Sequence, residues 1–262
     1  MIKVATHNGI FHADEVTAIA LLKVFLDEDV EVTRLPHQAE DFSSFDMVID
    51  IGLRFDGRRY FDHHQNKGGR SSAGLIWEYI GKEEEYPRLS EFIEMIDMHD
   101  TGLKKAGEFE YPNLVRCFNL PDIYCQEQDE AFDDAVAFAQ RIVRSMKTVE
   151  EEIHKAKKIV ARSKPFDANA AFVKLASFTP HWTQYLNGEK TPHIDVVVWE
   201  DESNGKYYAK VPPIRPGSFE LASAPFEKDE SMDFVHSAGF IAVAKDEETM
   251  KSYLKRRALR KS

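Results

Sequence analysis

Cysteine is nearly absent from this sequence: Cys117 and Cys125 are the only two, and their spacing fits neither a zinc knuckle nor a redox pair. Both are expected to be ordinary buried or half-buried thiols. An apolar run near the roughly eighteen residues that a membrane helix needs is also missing, so a water-soluble chain with no membrane partner is expected. Excess basic charge is missing too: 34 Lys and Arg stand against 45 Asp and Glu, a net charge of −11. Tight, non-specific binding to a long polyanion draws on Lys and Arg that neutralise phosphates, and this balance argues against it. Small phosphorylated compounds and short oligonucleotide ends stay compatible with the charge. A second account of the acidity is that hard divalent cations, held by carboxylate oxygens, cancel part of it. The opening Met1–Thr6 runs straight into a strand-like pattern without the basic-then-apolar segment of a secretory leader, which makes cytoplasmic residence the expectation.

What is present is ordinary globular composition, 43% hydrophobic and 30% charged over 262 residues, enough for one large or two modest domains. Ile2–Thr6 reads as a strand, and Glu15–Phe25 carries apolar residues at helical spacing. Val30–Leu35 alternates as a second strand, and Met47–Ile51 is a short apolar run of the kind buried in parallel sheets. Arg59–Phe61 is a third strand candidate after the first, and Ser71–Ile80 and Arg88–Asp97 read as helices. From Asp129 to Ser163 the pattern is continuously helical, with no Pro or Gly inside. After Pro165 come strand-like pieces at 171–176, 194–199 and 207–211, a turn signal at Asn204-Gly205, and a closing helix over 247–259. Strands alternating with helices predict an α/β protein with a mainly parallel sheet in its first lobe. The expected division is a metal-binding catalytic domain over 1–127, a helical linker over 128–164, and a smaller α/β substrate-binding lobe over 165–262, with the active site in the cleft between lobes.

Chemistry-bearing side chains gather at predicted element ends. His7, His12 and Asp14 lie where the first strand gives way to the first helix, relieved by Gly9, at the carboxyl edge where open parallel sheets bind ligands. Asp14 taken alone also fits an N-cap. Asp50 ends the apolar strand, and Asp62-His63-His64 follows the next one. Adjacent side chains diverge, so one of these imidazoles is expected on a metal, the other toward substrate, and Asp62 behind them as an orienting group. Asp97 and Asp100 close the helix that begins near Arg88, and either fits as a further ligand. Mixed imidazole and carboxylate donors suit manganese, with magnesium as the alternative. Two such ions about 3.5–4 Å apart, bridged by Asp50, would activate water and neutralise a transferring phosphoryl group.

This order, His-x-Asp, an isolated Asp, Asp-His-His, then Asp, resembles the DHH phosphoesterase superfamily. The segments Thr6–Gly9, Phe11–Glu15, Val48–Gly52, Phe61–Gln65, Ser71–Leu75 and Phe234–Ile241 are more closely similar to the melanocyte-proliferating-gene family of metal-dependent proteins, whose eukaryotic members are regarded as 3′→5′ RNA exonucleases. The resemblance implies one metal on His7, His12 and Asp50, a second on Asp14, Asp50, His63 and Asp100, and His64 facing the scissile phosphate. It further implies that Lys210, Arg215, His236 and the backbone amide of Gly239 contact the substrate phosphate. Four positions depart from the usual pattern: His12 stands where most of the superfamily carries Asp, Leu53 replaces a second Gly, and Leu35-Pro36 replaces a basic-acidic pair. The functional expectation is a metal-dependent hydrolase of phosphodiester ends in short RNA or a small nucleotide, with His64, Asp62 and Asp50 at the reaction. A phosphomonoesterase or pyrophosphatase-like enzyme, a non-catalytic metal or nucleotide sensor, and assembly as a homodimer are the readings left beside it. The basic run Lys251, Lys255, Arg256, Arg257, Arg260 and Lys261 is read as a solvated helix face.

Overall fold

The computed structural model describes residues 1–65, 69–168 and 170–259; Arg260 and Lys261 of the basic run lie outside them. Two compact units divide the chain, Met1–Glu150 and Glu151–Ser262. Among the described residues no helix is long and apolar enough to cross a membrane.

The first unit carries a four-stranded sheet of β1 (Ile2–His7), β2 (Val30–Leu35), β3 (Met47–Ile49) and β4 (Tyr60–Phe61), all parallel, in the order β2-β1-β3-β4. The chain steps from β1 outward to β2, then crosses back to place β3 on the other side of β1. The order therefore reverses at β1, and the loops after β1 and β3 leave the sheet at the carboxyl edge, where open parallel sheets bind ligands. Helix α1 (Ala13–Phe25) is apolar nearly all round, and every residue from Ala13 to Leu22 is buried. It packs with α2 (Ser72–Ile80) and α3 (Pro87–Asp100) in a core that includes Ile19, Leu21, Leu22, Ile49, Ile76, Trp77 and Ile93. Each such side chain contributes about 1.5–3 kcal/mol by leaving water. Helix α2 stops at Gly81, whose left-handed φ of 70° closes the last turn. Helix α3 starts on Pro87, where a missing N–H does no harm. A short helix α4 (Tyr111–Arg116), which apolar periodicity does not reveal, precedes the long helix α5 (Glu127–Ala161).

Several sequence expectations shift at their edges. Helix α1 begins at Ala13 with His12 as its N-cap, so Asp14 lies inside the first turn and is not the cap. Helix α3 runs three residues past Asp97, because nothing breaks it before Gly102, at φ 75°. Strand β3 ends at Ile49, since Asp50 takes φ 58° and turns the chain out of the sheet. Cys117 is exposed beside α4, contrary to the expected buried thiol, while Cys125 is partly covered.

The second unit holds a mixed six-stranded sheet of β5 (Lys164–Pro165), β6 (Phe172–Lys174), β7 (Val196–Asp201), β8 (Lys206–Lys210), β9 (Phe234–Val235) and β10 (Ile241–Ala244), in the order β5-β6-β7-β8-β10-β9. Only β6 and β7 pair in parallel; the remaining neighbours are antiparallel. Strands β7 and β8 form the hairpin signalled by Asn204-Gly205, with Asp201 opposite Lys206 and Gly205 at φ 66°. Helix α6 (Glu247–Leu259) sends Met250 and Leu254 into a core with Phe172, Val196, Val198 and Ala242.

Leu53 is a second non-glycine residue in the left-handed region, at φ 52°, and its side chain is 69% exposed. An ordinary L-residue pays about 1–2 kcal/mol for that conformation, and glycine's greater freedom when unfolded returns part of the relief. Leu53→Gly is accordingly expected to stabilise the chain by about 0.5–1 kcal/mol. Urea unfolding of both proteins checks this, and a lower midpoint for the variant would contradict it.

Candidate metal centre

Because β1, β3 and β4 run parallel, their carboxyl ends share one edge of the sheet, and each ends in a ligand-type residue: His7 on β1, Asp50 after β3, and Asp62-His63-His64 after β4. The first turn of α1 adds Asp14 and Glu15, and the last residue of α3 adds Asp100. Asp50 sits in the middle. Its Oδ2 lies 3.2 Å from His7 Nε2 and its Oδ1 3.4 Å from His63 Nε2, so its two oxygens face two different imidazoles. Ser72 at the start of α2 donates its hydroxyl to Asp50 Oδ1 at 2.8 Å. His63 Nε2 also lies 2.9 Å from Asp100 Oδ2 and 3.6 Å from Asp14 Oδ2. His7 Nε2 is 3.1 Å from Glu15 Oε1.

Asp62 is buried and orients His64. Its Oδ1 accepts from the His64 backbone N–H and lies 2.9 Å from His64 Nδ1, and its Oδ2 accepts the Leu53 N–H at 2.7 Å. Asp97 turns away from the cluster: its Oδ1 accepts from both the N–H and the hydroxyl of Ser71, and a Cβ on Gly74 would collide with its carboxylate. Asp100, not Asp97, therefore belongs to the centre.

The loop bearing His7, His12 and Asp14 is fixed through its backbone. Asn119 accepts the Phe11 N–H at 3.0 Å and donates to the Phe11 carbonyl at 2.9 Å, standing in for a paired strand. Gln128, at the start of α5, donates to the Gly9 carbonyl. Arg34, at the end of β2, donates to the carbonyls of Gly9 and His7, and its charge is met by Asp129 at 2.7 Å.

The charges are crowded. Burial opposes the ionised form of Asp50, but hydrogen bonds from His63 and His7 overcome it and hold the carboxyl well below its ordinary range. Burial likewise opposes a charged His7, yet Asp50 and Glu15 raise its pKa to about 11. His63 is raised against burial by Asp100 and Asp50 to about 10. The hydrogen bond that His64 gives to Asp62, partly offset by burial, raises the His64 pKa. Asp14 is pushed well above the carboxylate range by burial and then by the charges of Asp50, Glu15 and Asp100.

A divalent cation fits this donor set. Both Asp14 oxygens and Glu15 Oε2 are buried with no hydrogen-bond partner. Ionised carboxylates removed from water are penalised by several kcal/mol each unless an opposite charge meets them. Donor atoms of His7, His12 and Glu15, of Asp14, His63 and Asp100, of Asp50, His63 and His64, and of Asp14, Glu15 and Asp50 lie within 4.8 Å of one another in each set. Every ligand-type residue expected on a metal thus lies in one cluster. Glu15 was not among them, although its place directly after Asp14 in the first helical turn was a signal. His37, whose ring stacks on His7 at 4.6 Å, left no signal beyond following Pro36.

Residues 3–84, which carry all these donors except Asp100, match the family model MYG1_exonuc, described as an uncharacterised protein family (UPF0160). The matches support the MYG1 family. The chain is 26% identical to the MYG1 protein of Saccharomyces cerevisiae, over 95% of this chain and 93% of that protein. It is 27% identical to the human MYG1 exonuclease, over 91% of this chain and 81% of the human one. The MYG1 protein of Chlamydia muridarum is 35% identical over 44% of each. No solved structure matches the chain.

In the second unit, Lys210 is half-buried, with its ammonium 5.9 Å from the Trp182 ring and 5.6 Å from the Phe240 ring, and burial lowers its pKa. His236 packs on the same Phe240 at 4.2 Å. Arg215 is exposed on a loop. The Gly239 N–H, expected to be offered to a phosphate, donates instead to the His236 carbonyl at 2.7 Å, and a Cβ there would collide with Pro225 and Phe226.

A cation bound on the nitrogens of His7 and His63 would displace the protons that Asp50, Glu15 and Asp100 favour there. Those protons are bound before the cation and absent after it, so affinity is expected to rise with pH between about 6 and 9. Calorimetric titration with manganese in buffers of different ionisation enthalpy measures the release, expected to be about one proton or more per chain. An affinity that does not change with pH would contradict the assignment.

Proposed function

We propose that this chain is a member of the MYG1 family and of the DHH phosphoesterase superfamily, and that it is a metal-dependent hydrolase of phosphodiester bonds. Its substrate in this reading is short RNA or a small nucleotide, degraded from the 3′ end. The observation that carries the proposal is the convergence of His7, Asp14, Asp50, His63 and Asp100 at the carboxyl edge of a parallel sheet, where His7 lies 3.2 Å from Asp50, and His63 lies 3.4 Å from Asp50, 3.6 Å from Asp14 and 2.9 Å from Asp100. Relatives from human, rat, mouse and cattle bear the name MYG1 exonuclease, which supports the nuclease part of the reading.

The residues divide the work. Asp50 offers one oxygen toward the His7 side and one toward the His63 side, the placement that suits a bridge between two divalent cations. His7 and His12 would complete one position, and Asp14, His63 and Asp100 the other. Bound there, manganese ions would polarise water for attack on phosphorus and neutralise the charge that builds on the phosphoryl oxygens. His64 is held by Asp62 through Nδ1, which leaves Nε2 as the nitrogen available to the substrate. The Asp62 hydrogen bond favours the protonated form of that imidazole, which can donate to a phosphate oxygen, or give its proton to the leaving oxygen as the bond to phosphorus breaks. Contacts from Lys210, Arg215 and His236 to the phosphate belong to the same proposal.

Asp50→Ala is expected to lower manganese-stimulated hydrolysis of short oligoribonucleotides by at least about a hundredfold while the circular dichroism spectrum stays that of the parent. Activity retained in a metal-titrated assay would sink the proposal. Hydrolysis of inorganic pyrophosphate but not of oligoribonucleotides by the same preparation would move the substrate to the small-molecule alternative.

A further inference from the structure

The two positions around Asp50 are built from different chemistry. On one side stand two imidazoles and a glutamate, His7, His12 and Glu15, with donor atoms within 4.8 Å of one another. Donors about 2.1 Å from a single ion span at most roughly 4 Å, so only a small contraction separates this set from coordination. On the other side stand Asp14 and Asp100 with one imidazole, His63, also within 4.8 Å. Glu15 is fully buried, and its use is half complete: Oε1 accepts the His12 N–H at 2.9 Å and faces His7 Nε2, while Oε2 is buried with no partner. A helix-capping glutamate needs only the first of these contacts. The second oxygen, removed from water and unmatched, points to a positive charge beside it.

We propose that Glu15 is a metal ligand, and that the centre holds two unequal cation positions: His7–His12–Glu15, selective for a transition-metal ion, and Asp14–His63–Asp100, which accepts magnesium as well. Imidazole nitrogens favour transition metals over magnesium, whereas carboxylate oxygens hold both. Magnesium also gives up its water reluctantly and is seldom held by two imidazoles. His12 in place of a carboxylate is what makes the first position nitrogen-rich, and Glu15 supplies its oxygen donor. This inference rests on the proposed metal-dependent function and goes beyond it by assigning a ligand and a selectivity.

The test is a count of bound manganese by electron paramagnetic resonance on the full chain, stripped with a chelator and titrated with manganese alone, then challenged with excess magnesium. Two ions are expected per chain, one displaced by magnesium and one resistant. Glu15→Gln is expected to weaken the resistant ion at least about tenfold and leave the displaceable one in place. Asp100→Asn should do the reverse. Should Glu15→Gln fail to fold, His12→Gln decides, since the His12 side chain is exposed and its backbone contact to Glu15 survives the change. Two ions bound by the parent and kept at parental affinity in Glu15→Gln, or in His12→Gln where that variant decides, would overturn the inference alone. So would displacement of both ions by magnesium at the same concentration. A parent chain that binds no manganese would overturn the inference and the proposed function together.

Discussion

Four carboxylates, Asp14, Glu15, Asp50 and Asp100, converge on two imidazoles at the edge of a parallel sheet, and three of the four are almost wholly buried. Like charges this close in a poorly solvated site repel one another strongly, and the protons on His7 and His63 offset only part of that repulsion. The arrangement is intelligible as a receptacle for positive charge. It also accounts for Asp14, whose pKa is raised first by burial and then by the charges of its acidic neighbours.

Such a cluster does not assemble by itself, and the surrounding structure shows how it is held. Rather than touching the ligand side chains, Arg34, Asn119 and Gln128 grip the backbone of the loop between β1 and α1, at His7, Gly9 and Phe11. Arg34 lies over the rings of Phe11 and Phe132, so its guanidinium is fixed by packing as well as by Asp129. Asp50 adds a further constraint, since its left-handed backbone turns the carboxylate out of the sheet plane at the end of β3. Asp is among the few residues that tolerate this conformation locally. Backbone strain at one central residue is thus balanced by the hydrogen bonds of Ser72, His7 and His63 to its side chain.

The legible part of this site was the part written into strand ends. A short apolar run fixes a buried strand, a parallel sheet places all such ends on one edge, and a His or Asp at each end is visible without coordinates. An orienting role for Asp62 was readable for the same reason, but that it pairs with His64 is seen only in the folded chain. The choice between Asp97 and Asp100 was not readable. It turned on three more residues of helix and on the absence of a Cβ at Gly74, which lets the Asp97 carboxylate fold back against α2. Glu15 has a signal in its place directly after Asp14, but its bearing on His7 depends on the starting point of α1: with the helix begun at Ala13, Glu15 falls on the turn that looks back at His7.

The backbone clamp was illegible for a different reason. Asn119 and Gln128 lie 108 and 119 positions from the loop atoms they bind, and those atoms are carbonyls and an amide that every residue possesses. Periodicity reports which face of an element is buried, and motifs report side-chain chemistry, but a donor aimed at a distant backbone carbonyl leaves no pattern in either. The consequence reaches the chemistry. A metal site tolerates ligand displacements of only a few tenths of an ångström, so the residues that set the path of the His7–Asp14 loop bear on cation affinity although none of them is ligand-type in its surroundings. The donor residues of such a cluster are visible in sequence, whereas the precision with which they are held is a property of the folded chain.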